Sequence, residues 1–594
     1  MAPSRGETLR ERSGASPTAR KLVLGSPSSR EAAKSAAASG TLAPRRVGFA
    51  RPVASAADAQ ATTAQLQWTT LPNGRQAAAL SVTSPQAQGL RLGLLVRKLP
   101  AAATLRFYAQ GSTQAHEIAA ADVLDLLQHN RASGLTGDEA DTYWSPLVEG
   151  SEATLEIELP AHVAANEVAV ALPRLSHLDT LPSSDTAARD TVQPKIGEAD
   201  ACQIDVSCRP DYQNESRSVA RLLFVKDGNS YLCSGALLKD KGASGTPYLL
   251  TAAHCIATQA SASSLQTFWF YRSSSCNAEV LSAESRTLTG GATLLYASAT
   301  TDTSFMRLSS PPPAGAVFAD WSADPPVVQD AVFGLHHPRG DLQKISIGSV
   351  SSYERCEPAQ HDPTTLACAG SDRAASQFVN VRYTLGSAEP GSSGSPLFRR
   401  VNGTSYVTGQ LYGGSASCQD RSGTNIYGRF DIAYTAALQA WLDGPATRGP
   451  VYRFYNLSTG AHFYTMNTAE RDYVIASYPS FLYEGPNFYA YNTQAEGTSP
   501  VFRFYNLTTG AHFFTINEAE RDYVRATYPN FMYEGVGWYA KTTAQPGVTP
   551  LFRFYKLSNS THFYTANADE RAYVIQTQPT FVDEGIGYYV WPSL

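Results

Sequence analysis

Three short motifs in this chain contain residue types that could carry out acyl transfer. Around Ser393 the sequence runs Glu-Pro-Gly-Ser-Ser-Gly-Ser-Pro, from Glu389 to Pro396. Glycines allow a tight turn there without Cβ clashes, and the backbone N–H groups of Gly391 and Ser393 would then meet where an oxyanion develops. A Gly/Ser-rich string alone is more often an ordinary loop, so this interpretation depends on partners elsewhere in the chain.

His254 and Asp302 are the expected partners. An apolar strand leads into Ala-Ala-His254-Cys255 and would hold the imidazole in place, and histidine is the side chain suited to accept a serine proton near neutral pH. Asp302 directly precedes a β-like run and could orient the ring, whereas Asp320 and Asp330 lie in less regular surroundings. We therefore predict a triad with His254 as base, Asp302 as orienting carboxylate and Ser393 as nucleophile.

Bulk composition limits the kinds of partner. The 594 residues are too many for one core, and at roughly 100 to 200 residues per domain they predict several units. The chain has 47 basic and 52 acidic residues, and this net charge of -5 argues against a nucleic-acid partner. No apolar run approaches the length of a spanning helix, and no cofactor or metal is expected.

All eight cysteines fall between Cys202 and Cys418. An even number confined to one segment predicts disulfides and an oxidising compartment, and the absence of any CxxC pair argues against a zinc site. We therefore expect a secreted protein, although no signal peptide is visible from Met1 to Arg51.

The pattern predicts four regions and a mainly β protein. Short alternating runs after about Arg46 favour a β-sandwich, with one amphipathic helix near Ala121 to Gln128. Its position before the catalytic motifs favours a propeptide over an accessory domain, and Lys195-Ile196 is the expected processing boundary. The predicted regions are a disordered segment at 1–45, a propeptide-like β domain at 46–195, a domain with the catalytic motifs at 196–446 and a repeat module at 447–594.

The last region repeats itself three times with a period of 50 residues. Each copy begins with a motif such as Val451-Tyr-Arg-Phe-Tyr, continues with His-Phe-Tyr/Phe-Thr and closes with a Glu-Gly turn. Such repeats favour a closed β architecture with threefold symmetry, most simply a β-trefoil, with linear stacking as the alternative. Most of the aromatic residues should be core, but a threefold set of Tyr, His and Arg could bind a carbohydrate or cell-wall ligand.

Six blocks together resemble a known family. The chain is similar to the trypsin/chymotrypsin-like serine proteases, and more narrowly to the bacterial secreted lysyl endopeptidases, over about residues 202 to 443. The resemblance implies a double β-barrel protease domain and an endopeptidase that acts on proteins or peptides. The blocks are Cys202–Cys208, Leu249–Cys255, Leu335–Pro338, Glu389–Pro396, Gly409–Gly414 and Tyr427–Arg429.

The same resemblance implies the disulfide pairing. It pairs Cys202 with Cys418, Cys208 with Cys276, and Cys233 with Cys255, and it leaves Cys356 and Cys368 to close a local loop. Sequence alone leaves the pairing open.

The expected substrate pocket departs from the family pattern. In the family an aspartate two residues before Tyr-Gly-Arg binds the substrate ammonium, but this chain has Asn425 there. An amide cannot neutralise a buried lysine, so a preference for lysine is in doubt, and Asp420 and Asp431 are the nearby carboxylates that could substitute. Tyr412 stands where the family has a histidine, and no counterpart of the family's tryptophan is found around Ser351 to Glu354. The predicted pocket residues are Asn425, Tyr412, Gly413 and Gly414.

Position 392 bears on activation. Trypsin-type zymogens mature when a new N-terminal ammonium pairs with an aspartate just before the nucleophile, and this chain has Ser392 there. We therefore expect removal of the propeptide to unblock a preformed site. The competing hypothesis is a catalytically inactive, protease-derived protein that serves adhesion or carbohydrate binding through its repeats.

Overall fold

The computed structural model describes residues 8–12, 17–28, 44–180, 196–359, 362–444 and 446–594. They form two compact units, Met1–Leu438 and Gln439–Leu594. The predicted start of the repeat module at residue 447 falls a few residues after this division. The polar stretch at 183–193 and Lys195 lie outside the described residues. Among those described, no helix combines the length and apolar character needed to cross a bilayer.

The N-terminal part of the first unit consists of two β-sheets around one apolar core. One sheet has the strand order β1-β9-β8-β12-β6-β2, with β5 added to β6, and the other has the order β10-β7-β13-β4, with β11 added to β7. Both sheets contribute to the core, for example through Leu80 and Leu155 from the first and Leu92 and Leu172 from the second. The elements are β1 (Leu9–Glu11), β2 (Arg20–Val23), β3 (Arg45–Arg46), β4 (Gly48–Pro52), α1 (Ala59–Thr63), β5 (Thr69–Thr70), β6 (Gln76–Thr83), β7 (Gly89–Lys98), β8 (Thr104–Tyr108), β9 (Gln114–Ala119), α2 (Ala120–Ala132), α3 (Gly137–Ala140), β10 (Thr142–Trp144), β11 (Val148–Glu149), β12 (Glu152–Leu159) and β13 (Ala169–Leu178).

The expectation of disorder throughout residues 1–45 is wrong for two segments. Strand β1 pairs antiparallel with β9, and β2 pairs parallel with β6. Backbone hydrogen bonds to existing strands order these segments although only Leu22 of β2 is buried. Composition alone could not reveal this pairing, because the partners lie far along the chain.

Residues 196–438 form two further sheets. The first has the strand order β19-β18-β15-β16-β17-β21-β20, and β3 from the N-terminal region pairs with β16. In the second, β23, β22, β26, β27, β28 and β25 pair in turn and β25 pairs back with β23, so this sheet closes into a barrel. The elements are β14 (Ile204–Asp205), α4 (Gln213–Ser216), β15 (Val219–Lys226), β16 (Asn229–Leu238), β17 (Tyr248–Ala252), α5 (Gln259–Ser263), β18 (Gln266–Trp269), β19 (Arg286–Leu288), β20 (Ala292–Ser298), β21 (Thr303–Leu308), β22 (Ala331–His336), β23 (Lys344–Ala359), β24 (Asp362–Ser371), β25 (Phe378–Leu385), β26 (Pro396–Val401), β27 (Thr404–Gly414), β28 (Asn425–Arg429) and α6 (Phe430–Ala433).

Four disulfides lie in this part of the chain. They are the four pairs implied by the family resemblance: Cys202–Cys418, Cys208–Cys276, Cys233–Cys255 and Cys356–Cys368. The Cys233–Cys255 bridge joins β16 to the residue after His254 and so ties the end of β17 to its neighbouring strand.

Each repeat of the second unit contains three strands and one α-helix. The β-trefoil expectation is not confirmed, and the nine repeat strands form one six-stranded and one three-stranded sheet. The elements are α7 (Gln439–Leu442), β29 (Arg448–Asn456), β30 (His462–Thr465), α8 (Thr468–Ser477), β31 (Phe481–Tyr491), β32 (Ser499–Asn506), β33 (Ala511–Thr515), α9 (Glu518–Thr527), β34 (Phe531–Ala540), β35 (Thr549–Lys556), β36 (Thr561–Thr565), α10 (Ala568–Thr577) and β37 (Phe581–Val590).

A cycle of arginines closes the three repeats into a ring. One arginine on the first strand of each repeat pairs with the glutamate of its own Glu-Gly turn and with a helix glutamate of the preceding repeat. The arginine of the first repeat pairs in the same way with the helix glutamate of the third repeat. This contact closes the ring and rules out linear stacking. The inter-repeat pairs are Arg503–Glu470, Arg553–Glu520 and Arg453–Glu570, at 2.8, 2.8 and 2.9 Å.

We expect acid to destabilise this ring. Burial, with a neighbouring arginine, lowers the pKa of His462 to about 3 and that of His562 to about 4, from an ordinary value of 6.5. Burial works to raise the pKa of Glu470, but hydrogen bonding and charge from Arg503 lower it overall. Because the unfolded chain binds more protons than the folded one below pH 6.5, stability should fall by about 2 to 4 kcal/mol between pH 6.5 and 4.

Hydrogen–deuterium exchange in the full chain can measure this loss. Amides of β30 and β36 should exchange markedly faster at pH 4.5 than at pH 7, after correction for intrinsic rates. A His562→Gln variant should show a smaller acid effect, because one proton-binding site of the unfolded state is removed. Equal protection of these strands at both pH values would contradict the prediction.

Candidate active site

His254 and Asp302 meet at the ends of two paired strands. Strands β17 and β21 are antiparallel neighbours, with Ala252 opposite Thr303, so the residues just beyond them lie side by side. Asp302 Oδ2 lies 2.7 Å from His254 Nδ1, and Asp302 Oδ1 accepts the backbone N–H of His254 at 2.8 Å. This double contact fixes the ring orientation, and His254 Nε2, on the far side of the ring, lies 3.8 Å from Cys255 Sγ.

The backbone at Asp302 is held in an unusual conformation. Its φ is +50°, in the left-handed region that non-glycine residues seldom adopt, and the residue is 4% exposed. Gln410 on β27 supports it from the other sheet, since its Nε2 donates to Thr301 O at 2.7 Å and to Thr303 Oγ1 at 3.0 Å. Gln410 was missed by sequence analysis, which quoted its block only for the family resemblance.

The Ser393 loop packs against the end of β17. Gly394 has a φ of +77°, and a Cβ there would lie 2.0 Å from Thr251 Oγ1 and 2.8 Å from Ala252 N. Only glycine therefore allows Ser393 to approach the strand that leads to His254. Among the described residues, no hydrogen bond joins Ser393 Oγ to His254 Nε2, as is common for such pairs without substrate.

Two backbone donors of this loop are free. Neither the N–H of Gly391 nor that of Ser393 donates to another residue in the part of the chain that the structure describes. Gly391 has a φ of +101°, and its carbonyl accepts from Ser234 Oγ at 3.0 Å. With the carbonyl turned inward, the loop leaves both N–H groups for an external acceptor, as an oxyanion hole requires.

Buried His336 forms a hydrogen bond with the loop that carries Ser393. His336 Nδ1 hydrogen-bonds with Ser392 Oγ at 2.8 Å, and its Nε2 hydrogen-bonds with Ser346 Oγ at 2.9 Å. Burial, with a smaller contribution from Lys344, lowers the pKa of His336 to about 3, so the ring stays neutral. Ser392 thus takes part in a neutral network, and sequence analysis did not predict this role for His336.

The predicted pocket residues lie together at the ends of β27 and β28. Gly414 pairs with Asn425 across these strands, and the Tyr412 ring lies 5.5 Å from the His254 ring in an edge-on arrangement. Asn425 is 1% exposed, and its Nδ2 donates to Val381 O at 3.1 Å. Asn425 Oδ1 is buried and accepts no hydrogen bond from any described residue. This acceptor could meet a polar hydrogen of a substrate side chain.

Of the two carboxylates that could substitute for an aspartate at position 425, one is ion-paired and the other is exposed. Asp431 forms an ion pair with Arg429 at 2.6 Å. Asp420 is exposed and accepts hydrogen bonds from Ser422, which lower the pKa of its carboxyl. Neither takes the place of the family's aspartate next to Gly414.

Residues 8–180, the N-terminal region, form their hydrogen bonds with residues other than the predicted triad. Its hydrogen bonds to residues 196–438 include Arg91 to Ser264 O, Leu147 N to Gln266 Oε1, and Ser176 with Ser230. Among the described residues, no hydrogen bond links residues 8–180 to the predicted triad. The described part of this region therefore hydrogen-bonds to the first sheet and its flanking residues and not to the triad.

The fold and this arrangement place the chain among the trypsin-like serine endopeptidases. The family model described as "Lysyl endopeptidase, C-terminal domain" matches residues 196–428, and "Lysyl endopeptidase N-terminal domain" matches residues 23–179. A lysyl endopeptidase from Pseudomonas aeruginosa is 31% identical over 367 residues, which cover 59% of this chain and 72% of that protein. The chain belongs to the lysyl endopeptidase family.

Further comparisons are more distant. A secreted RxLR effector protein 73 from Plasmopara viticola is 29% identical over 201 residues, covering 32% of this chain and 45% of that protein. The active form of the Rv3671c protease from M. tuberculosis aligns with a TM-score of 0.27 and 15% identity over 44% of this chain and 97% of that one. Deg5 aligns with a TM-score of 0.26 and 14% identity over 40% of this chain and 96% of that one. Residues 438–591 match a domain of unknown function (DUF5648).

Proposed function

We propose that this chain is the proprotein of a secreted serine endopeptidase that cleaves peptide bonds through His254, Asp302 and Ser393. The observation that carries the proposal is the 2.7 Å contact between Asp302 and His254 Nδ1 beside the Ser393 loop. A buried carboxylate in this position keeps the proton on Nδ1 and stabilises the imidazolium that forms during catalysis.

The proposed reaction proceeds in two halves, acylation and deacylation. Ser393 Oγ attacks the scissile carbonyl carbon while its proton moves to His254 Nε2, and the carbonyl oxygen becomes an oxyanion. The N–H groups of Gly391 and Ser393 bind that oxyanion. The C–N bond then breaks, the amine leaves with the proton from His254, and an acyl-enzyme remains. Water repeats the sequence, releasing the acid and restoring Ser393.

The predicted substrate pocket disfavours lysine as the residue before the scissile bond. A lysine side chain next to Asn425 would lose its hydration without gaining a counter-ion, which is costly in a buried site. Asn425 Oδ1 instead offers a neutral acceptor. We infer that the residue before the scissile bond is bound by hydrogen bonding rather than by charge neutralisation.

The regions before and after the protease domain have separate roles in this proposal. Residues 46–195 form a propeptide-like domain that is removed after Lys195, and the four disulfides fit a secreted protein. The repeat module binds a carbohydrate or cell-wall ligand. Support for the ligand comes from tyrosines at equivalent helix positions, with Tyr473, Tyr523 and Tyr573 between 58% and 60% exposed.

Labelling with a fluorophosphonate tests the catalytic proposal. The processed protein should be modified at Ser393, and the labelling rate should fall by about 10³-fold or more in His254→Ala. Ser405→Ala, on the distant end of β27, should label at the rate of the unchanged protein. Absence of labelling in folded, disulfide-bonded protein would instead favour the inactive, ligand-binding alternative.

A further inference from the structure

A buried carboxylate lies between the predicted new N-terminus and the Ser393 loop. Asp341 is 1% exposed, and its side chain accepts the backbone N–H groups of Gly197 at 3.1 Å, Ala199 at 3.0 Å and Leu342 at 2.7 Å. Within the described chain, Asp341 forms no ion pair. Buried carboxylates are normally paired with a cation, so this one has capacity for a positive partner.

Processing would create such a cation one residue away. Hydrolysis of the Lys195–Ile196 bond consumes one water, leaves a carboxylate on Lys195 and turns the nitrogen of Ile196 into an ammonium. That nitrogen precedes the Gly197 N–H, which already donates to Asp341. The Ile196 side chain is anchored as well, since it packs on a cluster that includes Tyr271 and Leu342.

The turn that contains Asp341 directly supports the oxyanion loop. Arg339 N donates to Pro390 O at 2.7 Å. A Cβ on Gly391 would lie 2.9 Å from His337 O and 3.0 Å from Gly340 N, so the two segments are in close contact. Ser234 Oγ also bridges them, because it accepts from His337 N and donates to Gly391 O, both at 3.0 Å.

We propose that the ammonium released at Ile196 binds the Asp341 carboxylate and holds the 337–341 turn against the Gly391–Ser393 loop. Asp341 is then a positioning residue for the oxyanion hole. It binds the new N-terminal ammonium, which Ser392 cannot do because its side chain carries no charge. This inference rests on the proposed endopeptidase function and on processing after Lys195.

Other charged groups surround the same segment. The Glu279 carboxylate lies 3.7 Å from the Cβ position of Gly197. Glu198 pairs with Arg45, and Arg339 pairs with Asp200 and Glu389. Buried His337 lies on the turn itself, and burial, reinforced by Arg221, holds its pKa well below the ordinary value. Asp341 differs from these carboxylates because it alone accepts hydrogen bonds from two N–H groups next to Ile196 and sits on the turn behind Gly391.

The test uses the processed protein, with its N-terminus verified by mass spectrometry. Asp341→Asn should lower kcat for a peptide ester by about 100-fold with KM changed less than about threefold, because oxyanion stabilisation acts on the transition state. Glu279→Gln should leave both constants unchanged. Lys195→Gln, which blocks processing, should give an uncleaved chain with kcat as low as that of Asp341→Asn.

Cyanate supplies a second test, whose main arm uses the protein without any substitution. Carbamylation of the terminal amine of the processed protein removes the positive charge and should lower kcat by a similar factor, while the same treatment of Asp341→Asn should cause no further loss. Full kcat after complete carbamylation of Ile196 would overturn the inference. If the untreated protein reacts with a fluorophosphonate at Ser393, that failure leaves the endopeptidase proposal standing; if it does not react, the endopeptidase proposal itself fails.

Discussion

Replacing Asp302 with asparagine is expected to lower kcat about 10⁴-fold while KM changes little. The side chain receives two hydrogen bonds from His254, one from Nδ1 at 2.7 Å and one from the backbone N–H at 2.8 Å. An asparagine NH₂ facing Nδ1 would favour the tautomer with the proton on Nε2, and that nitrogen could then no longer accept from Ser393. The imidazolium would also lose its compensating charge.

Steady-state kinetics on peptide esters and amides can measure this effect. Asp320→Asn is the matched control, because Asp320 is a half-exposed partner of Lys239 and was the alternative orienting residue. Its removal should change kcat by less than about twofold. An Asp302→Asn protein with kcat within tenfold of the original would contradict the assignment, provided that thermal unfolding shows an unchanged fold.

Replacing Asn425 with aspartate is expected to raise kcat/KM for cleavage after lysine by about 100-fold relative to cleavage after neutral residues. Asn425 is 1% exposed and its Oδ1 accepts no hydrogen bond from the described residues. A carboxylate of the same shape would provide the counter-ion that a desolvated ammonium requires. The gain should disappear in acid as the new carboxyl becomes protonated.

A peptide library read by mass spectrometry would record the change in cleavage profile. Asp420→Asn serves as the control, because this exposed carboxylate is engaged with Ser422 and should not influence the profile. An identical profile for Asn425→Asp and the original protein would show that position 425 does not contact the substrate side chain.

Local sequence was sufficient for features that a few consecutive residues determine. The small residues around Ser393 and the strand before His254 predicted a tight turn and a rigid imidazole, and α2 forms at Ala120–Ala132 where an amphipathic helix was expected. The family resemblance supplied the disulfide pairs. Lysyl endopeptidase ancestry, implied by six separate blocks, agrees with the family models and the Pseudomonas relative.

The contacts that sequence did not predict all join distant segments. Gln410 reaches Thr301 across two sheets, His336 supports Ser392, and Asp341 meets Gly197. No local pattern distinguishes these side chains from ordinary core residues, because their partners are set by strand order. The N-terminal strands β1 and β2 were obscured for a related reason, since pairing with distant strands decides them more than propensity does.

The cyclic order of the arginine pairs has a consequence for how this protein can evolve. Arg453 of the first copy depends on Glu570 of the last, so the ring has no free end at which a copy could be added. Each copy carries one arginine and one helix glutamate, so deleting or duplicating a unit by recombination would keep the charges matched but change the rotation between copies that closure requires. We therefore expect diversification of the module to proceed more readily by substitution within units than by gain or loss of whole units.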